Sequence, residues 1–259
     1  MSQQHARIQL IPDGEEPVLY INPRSTQIAS LTEELTAAED HPEIHLLAES
    51  NEIKDALNNF ITASNIAELV EQDRLNIRTL TDPVQNTILA TKSEIVVPLM
   101  GGHSVSSSDR DLSSSLYSEF KSRFEDAESY RLRTPAISKV KQTFREDIGD
   151  DIADDLDEVL SNADEISNTT GYLDIIEVTL LLAARNEVLL YDISKWGEDV
   201  GIASKATYSR TKSALEDAGL IDTEKVPIDI GRPRLRLIAS DQITNADLKT
   251  LSSEITSQM

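Results

Sequence analysis

Residues 204–213 concentrate hydrogen-bond donors: Ser204, Lys205, Thr207, Ser209, Arg210, Lys212 and Ser213. No acid stands between Ile202 and Leu215, in a chain whose formal net charge is -22. A guanidinium can donate two parallel N–H bonds to one acceptor pair, and hydroxyls and ammonium groups donate to single oxygens. The chemistry on offer is therefore recognition of an acceptor-rich anionic surface. A second set follows in the acid-free stretch Ile230–Ala239, with Arg232, Arg234 and Arg236.

Bond-making chemistry finds no such concentration. The chain has no cysteine, which removes disulfides, thiol nucleophiles and thiolate metal sites. No Gly-rich phosphate loop and no G-x-S-x-G elbow is present; "GGHS" (101–104) is too short. No histidine begins an H-x-K nuclease motif. His41 and His45 have i,i+4 spacing in "HPEIH", but Pro42 makes the segment a turn entering a strand and sends the rings apart. The acid-dense stretch 146–166 lacks the D-x-D-x-D-G calcium loop. We therefore expect no catalytic residue, no metal and no cofactor.

The donors must be carried by elements. At 100° per residue, Tyr208 and Leu215 share one side of a helix over 204–218, with Ser204 and Thr211 beside them. Arg210 falls nearly opposite, next to Ala206 and Ser213 and flanked by Thr207 and Ser209. Lys205 and Lys212 lie at the flanks, where they suit backbone phosphates, and the Lys212 stem can cover the core. Gly201 permits a left-handed turn before this helix, and Ser204 is its expected N-cap. Upstream, "YDISKWGEDVG" reads as a helix with Asp192 as N-cap, and "GYLDIIEVTLLLAARNEVLL" as another with Ile175, Ile176, Val178, Thr179 and Leu182 inward. Downstream, "IDTEKVPIDI" and "RLRLIA" are extended segments around a "GRPR" turn. This order is that of a winged helix-turn-helix. Arg232 sits at the wing tip, where it could enter a minor groove, while Arg234 and Arg236 share a strand face.

The N-terminal half is organised differently. "PVLYINP" (17–23), "EIHLLAES" and "LNIRTLT" (75–81) read as strands, and "NTILATKSEIVVPL" (86–99) as two more. Helical spacing of Ile28, Leu31 and Leu35, then of Ile53, Leu57, Phe60 and Ile61, places helices between them. The expected class is a mixed α/β sheet with helices, then a helical segment and a C-terminal winged helix-turn-helix. The expected division is 1–110 as an α/β domain able to house a small effector, 111–168 as a helical connecting or dimerisation segment, 169–240 as the winged helix and 241–259 as a helical or frayed tail. "SVSSSDRDLSSS" (104–115) reads as a flexible loop ending in a helix cap, with a switch role for its serines as the sharper alternative. Thr134 is the expected N-cap of a helix with Pro135 in its first turn. Ile148, Ile152, Leu156 and Val159 form one stripe on an acidic helix, packing on the sheet or on a second subunit.

Charge is unevenly shared. Residues 1–171 hold 32 acids and 14 bases, whereas residues 172–240 hold 11 and 9. Acids spread through the chain, with ten lysines to fourteen arginines, fit a salty cytoplasm. At molar salt the Debye length is about 3 Å, so a global negative charge no longer repels phosphate at a distance. There is no apolar run of membrane-spanning length and no signal-peptide pattern, which points to the cytoplasm.

"GYLDIIEVTLLLAARNEVLLYDISKWGEDVGIASKATYSRTKSALEDAGLIDTEKVPIDIGRPRLRLI" resembles the winged helix of haloarchaeal transcriptional regulators. The segment from "HLLAESNEIKDALNNF" to "EIVVPLM" is similar to the N-terminal domain of the TbsP type of these regulators. The resemblance implies a halophilic archaeal DNA-binding regulator of metabolic genes, linked to sugar metabolism. It transfers no ligand residue. The residues and the resemblance together give double-stranded DNA as the expected partner, bound by a homodimer, with a small-molecule effector or partner regulator besides. The rival expectation is a ligand-sensing or protein-interaction scaffold whose winged helix is structural.

Overall fold

The computed structural model describes residues 17–38, 41–82, 84–99, 103–162, 174–227 and 233–248. The chain divides into two compact units. One comprises residues 1–58 and 65–132, the other residues 59–64 and 133–259.

The first unit is built on a six-stranded mixed sheet. Its strands are β1 (Val18–Ile21), β2 (Ile44–Ala48), β3 (Leu75–Thr79), β4 (Ile88–Ala90), β5 (Ile95–Pro98) and β6 (Ser104–Ser107), in the order β3-β2-β1-β4-β5-β6. β1, β2 and β3 are parallel, and β4, β5 and β6 run antiparallel to their neighbours. Helices α1 (Ser25–Ala37), α2 (Ser50–Ala56) and α3 (Phe60–Glu71) supply the crossovers that parallel pairing demands. On one face Ile28, Leu31 and Leu35 of α1 join Tyr20, Ile44 and Leu46 in a buried cluster. On the other, Leu19, Ile21 and Ala90 pack against Tyr117, Phe120 and Phe124 of α4 (Arg110–Asp126).

One expectation changes here. Residues 104–107 form the edge strand β6, not a loop, because Leu99 N–H donates to the His103 carbonyl at 2.7 Å and turns the chain back on β5. Asp109 then caps α4, accepting from the amides of Asp111 and Leu112. His45 lies on β2, stacked on Phe124 at 4.4 Å between centroids, while His41 bonds the Leu35 carbonyl and Arg74.

The second unit begins earlier than charge suggests. Helices α5 (Ile137–Asp147) and α6 (Asp150–Ser161) share a core with α7 (Ile175–Arg185), so residues 133–162 are not a separate connecting segment. Ala136, not Thr134, occupies the N-cap of α5. Gly149 breaks the acidic stretch at φ 142°, leaving Ile152, Leu156 and Val159 buried on α6. Arg145 faces Asp150, Asp154 and Asp157 across that break, and Lys141 holds Asp157 at 2.9 Å. The polar stretch 163–173, where the change in charge suggests a boundary, lies outside the described residues. Helix α8 (Leu190–Val200), helix α9 (Lys205–Asp217), strands β7 (Ile221–Val226) and β8 (Arg234–Ala239) and the short α10 (Asp241–Asn245) complete the unit. Leu189, not Asp192, is the N-cap of α8, and Asp192 stands in its first turn.

Candidate nucleic-acid interface

The turn between α8 and α9 is held by one carbonyl. Gly201 takes φ 93°, which returns the chain, and the amides of Ile202 and Ala203 donate to the Gly197 carbonyl at 2.9 and 3.2 Å. Ser204 caps α9, its Oγ accepting the Thr207 amide at 3.2 Å. A cap of this kind contributes about 1 kcal/mol. Glu198 closes the turn from α8, accepting the Lys205 amide at 3.3 Å and facing Lys205 Nζ at 3.0 Å. Those two contacts hold the Glu198 carboxyl below its ordinary range.

Tyr208 fixes the roll of α9. It is fully buried, and its hydroxyl lies 3.4 Å from Thr179 Oγ1 of α7. Its ring lies so near Gly197 that a Cβ there would fall 2.2 Å from it. Burial pushes the Tyr208 phenol up to about 12. Leu215, also fully buried, anchors the next turns. With that side inward, Ala206, Ser209, Arg210 and Ser213 are exposed outward. Ser213 Oγ donates to the Ser209 carbonyl at 3.2 Å. Among the described cations of α9 and β8, Arg210 has no acidic partner; each of the others faces an acid.

Lys212 departs from its expected place. It is buried, and its Nζ meets Glu216 at 2.6 Å, one turn on. The stem does cover the core, but the ammonium faces Glu216 rather than an open flank. Thr207 is half-buried, and its hydroxyl lies 3.0 Å from Ser204 Oγ.

The wing strands pair in antiparallel register from Ile221 opposite Ala239 to Val226 opposite Arg234. A third short segment, without a strand signal in the sequence, joins them: Leu189 bridges Arg236, and Leu237 N–H donates to the Val188 carbonyl at 3.0 Å. Arg234 faces Asp192 at 3.5 Å, and Arg236 lies 3.8 Å from both Glu187 and Glu224. Arg232 and the "GRPR" turn lie outside the described residues, save Pro233 and Arg234.

Two family models match along the chain. Residues 3–135 match the model described as transcriptional regulator TbsP-like, N-terminal, and residues 136–256 the one described as transcriptional regulator TbsP-like, C-terminal HTH domain. The chain belongs to the TbsP-like transcriptional regulators. No curated protein matches it. One solved structure that it resembles is that of TrmBL2, described as an archaeal chromatin protein with a novel mode of DNA binding. The likeness has a TM-score of 0.35 at 16% identity and covers 46% of this chain and 47% of that one. The chain thus spans about half the length of that structure.

In this TbsP-like regulator a residue that charge and spacing do not single out gathers the basic elements. Tyr191, 44% exposed at the start of α8, has the Arg234 guanidinium 4.3 Å and Lys205 Nζ 5.8 Å from its ring centroid. The signal available in the sequence is an aromatic beside Asp192 in a helix whose inward residues are Ile193, Trp196 and Val200. In the regulator's first unit, a cleft of about 170 Å³ lies at the carboxyl ends of β2 and β3, between Thr79, Thr81, Arg123 and Asp126. Among the described residues no group of three His, Asp or Glu side chains is arranged to hold a metal ion. No described helix is long and apolar enough to cross a membrane.

Proposed function

We propose that this regulator binds duplex DNA sequence-specifically, with α9 in the major groove and the wing on the flank. The observation that carries the reading is Arg210: exposed, without an acidic partner, and centred on a face of Ala206, Ser209 and Ser213 small enough to approach base edges. A guanidinium so placed can donate twice to a guanine. Ser204, Thr207, Ser209 and Ser213 are the hydroxyls within reach of phosphates or base edges. Lys205 and Arg234, drawn together at Tyr191, suit one backbone phosphate, and Arg236 and Arg232 suit the flank beyond. Lys212 takes no part in this arrangement.

The wider setting we infer is a homodimer reading paired half-sites near metabolic genes in the cytoplasm of a halophilic archaeon. The dispersed acidity supports the salt adaptation, and the resemblance of both halves supports the gene class. A small effector, if one is sensed, belongs in the crevice outside the parallel strands, where open α/β sheets hold ligands. We infer no catalytic role.

The test is a genome-wide occupancy map, followed by binding measurements on a recovered site. Arg210→Ala should lower affinity for that site about 10- to 100-fold, the weight of one bidentate base contact, and leave affinity for unrelated duplex nearly unchanged. Specific binding that survived both Arg210→Ala and Arg232→Ala would sink the reading. A second reading has one observation in its favour: Lys205, Lys212, Arg234 and Arg236 each already face an acid of the chain. A protein-binding winged helix would need no free cations. Crosslinking in high salt that recovered protein partners and no discrete DNA fragments would favour it.

A further inference from the structure

The two edges of the six-stranded sheet are treated differently. At β3 the edge is covered: Thr79 N–H donates to the Glu128 carbonyl and Tyr130 N–H to the Ile77 carbonyl, both at 2.9 Å. At β6 no described segment pairs with the outer side. The ladder with β5 sets which groups are left over. Leu99 N–H donates to the His103 carbonyl, so by the alternation of the ladder Val105 and Ser107 also turn their amides and carbonyls towards β5. Ser104 and Ser106 therefore point theirs outward.

An open edge is a template for another strand, and proteins commonly blunt it with charge, proline or a bulge. Here the blunting is missing. From Ile95 to Ser108 there is no charged residue, in a chain that is 27% charged. One face of this edge is apolar as well as neutral. Of the four exposed large hydrophobic residues among the described ones, three lie here: Leu99 at 51%, Val105 at 58% and Leu112 at 48%. Val97 stands opposite Val105, and the alternation from buried Ile95 puts Val97, Leu99 and Val105 on the sheet face that carries α4, where Leu112 sits in the first turn.

We propose that β6 is a homodimer interface, pairing antiparallel with β6 of a second copy about a two-fold axis at Val105. The charge balance selects the occupant. Elsewhere on a surface of net charge -22, contact between two copies sets carboxylates against carboxylates inside the roughly 3 Å that molar salt leaves unscreened, whereas the strip Ile95–Ser108 carries no charge. The outward groups also fit each other. Ser104 of one copy bonds Ser106 of the other, and the reverse, so the pairing is self-complementary as a two-fold contact must be. Val105 then faces its own symmetry mate in the non-hydrogen-bonded position, where side chains are closest. The short strands bury less than a standard interface, so the dimer is expected to dissociate on dilution.

The chain has no cysteine, which makes a direct test available in the full-length protein without DNA. Val105→Cys should give a covalent dimer under mild oxidation. Ser104→Cys should not, because its symmetry mate lies beyond the roughly 7 Å between Cα atoms that a disulfide spans. Ser106→Pro removes an outward N–H, and Val105→Lys puts like charges in contact. Each should raise the dimer dissociation constant at least about tenfold by sedimentation equilibrium, with circular dichroism unchanged. A wild-type chain that stays monomeric at its highest soluble concentration would overturn the proposal. So would a dimer indifferent to both substitutions, or cross-linking of Ser104→Cys equal to that of Val105→Cys. None of these outcomes depends on the DNA face, which stands or falls on Arg210.

Discussion

Gly197 and Tyr208 set the angle at which α9 is presented. With 2.2 Å between the ring and a built Cβ, Gly197→Ala forces the ring outward or the helices apart. Overpacking of this kind costs about 1–3 kcal/mol. The expected result is a lowered denaturation midpoint together with weaker DNA binding, since the two helices are coupled through that contact. Glu177 offers a different test. Burial, with Asp174 beside it, pushes its carboxyl up to about 6 from an ordinary 4.5. The folded state thus resists ionising a group that the unfolded chain ionises freely. The penalty is absent below the unfolded value, grows as pH rises from 4.5 to about 6, and is complete above. Glu177→Gln should stabilise the protein by about 1 kcal/mol at neutral pH, after discount for partial exposure, and have no effect near pH 4. Equal stabilisation at both pH values would contradict the burial effect.

At the scale of elements, α9 and the wing strand are basic in sequence but paired in space. Glu198 on α8 meets Lys205, and Asp192 and Glu187 meet Arg234 and Arg236. Exposed pairs such as these contribute little to stability, so their consequence is for binding. Glu198→Gln frees Lys205 for phosphate. Affinity for any duplex should rise, and the slope of log affinity against log salt should steepen by about 0.9, one contact's share. An unchanged slope would place Lys205 away from DNA. Lys212→Met gives the opposite expectation. Removing one partner of a partly buried ion pair leaves Glu216 without its cation, so stability should fall while DNA affinity stays near wild type. A loss of affinity matching that of Arg210→Ala would show that the Lys212 ammonium leaves Glu216 to reach DNA.

For the whole molecule, the acidity and the DNA reading pull against each other only if the cations act by releasing counterions. Few free cations and several paired ones predict a shallow salt dependence, with affinity carried by base contacts and apolar burial. Titration across molar KCl should show affinity persisting; a collapse would point to a low-salt cytoplasm and against the salt adaptation.

Much of this was legible in order and periodicity. The strands from Val18 to Pro98, the Gly201 turn, the Ser204 cap and the outward position of Arg210 follow from local sequence, because pleat, helical period and capping act within a few residues. β6 was not legible, since Ser-rich residues look like a loop until β5 gives them a partner. The unit boundary misled because solvated charge marks surface, whereas Ile152, Leu156 and Val159 choose their core by packing. The fate of the cations was equally hidden. Acid-free runs at Ile202–Leu215 and Ile230–Ala239 are facts of the chain; that Glu198, Asp192 and Glu187 stand opposite them is a fact of the fold. Sequence by itself determined which residues could face an anion. Only the tertiary structure decided which of them are already facing one, because Coulomb and hydrogen-bond partners are chosen by distance in space rather than along the chain.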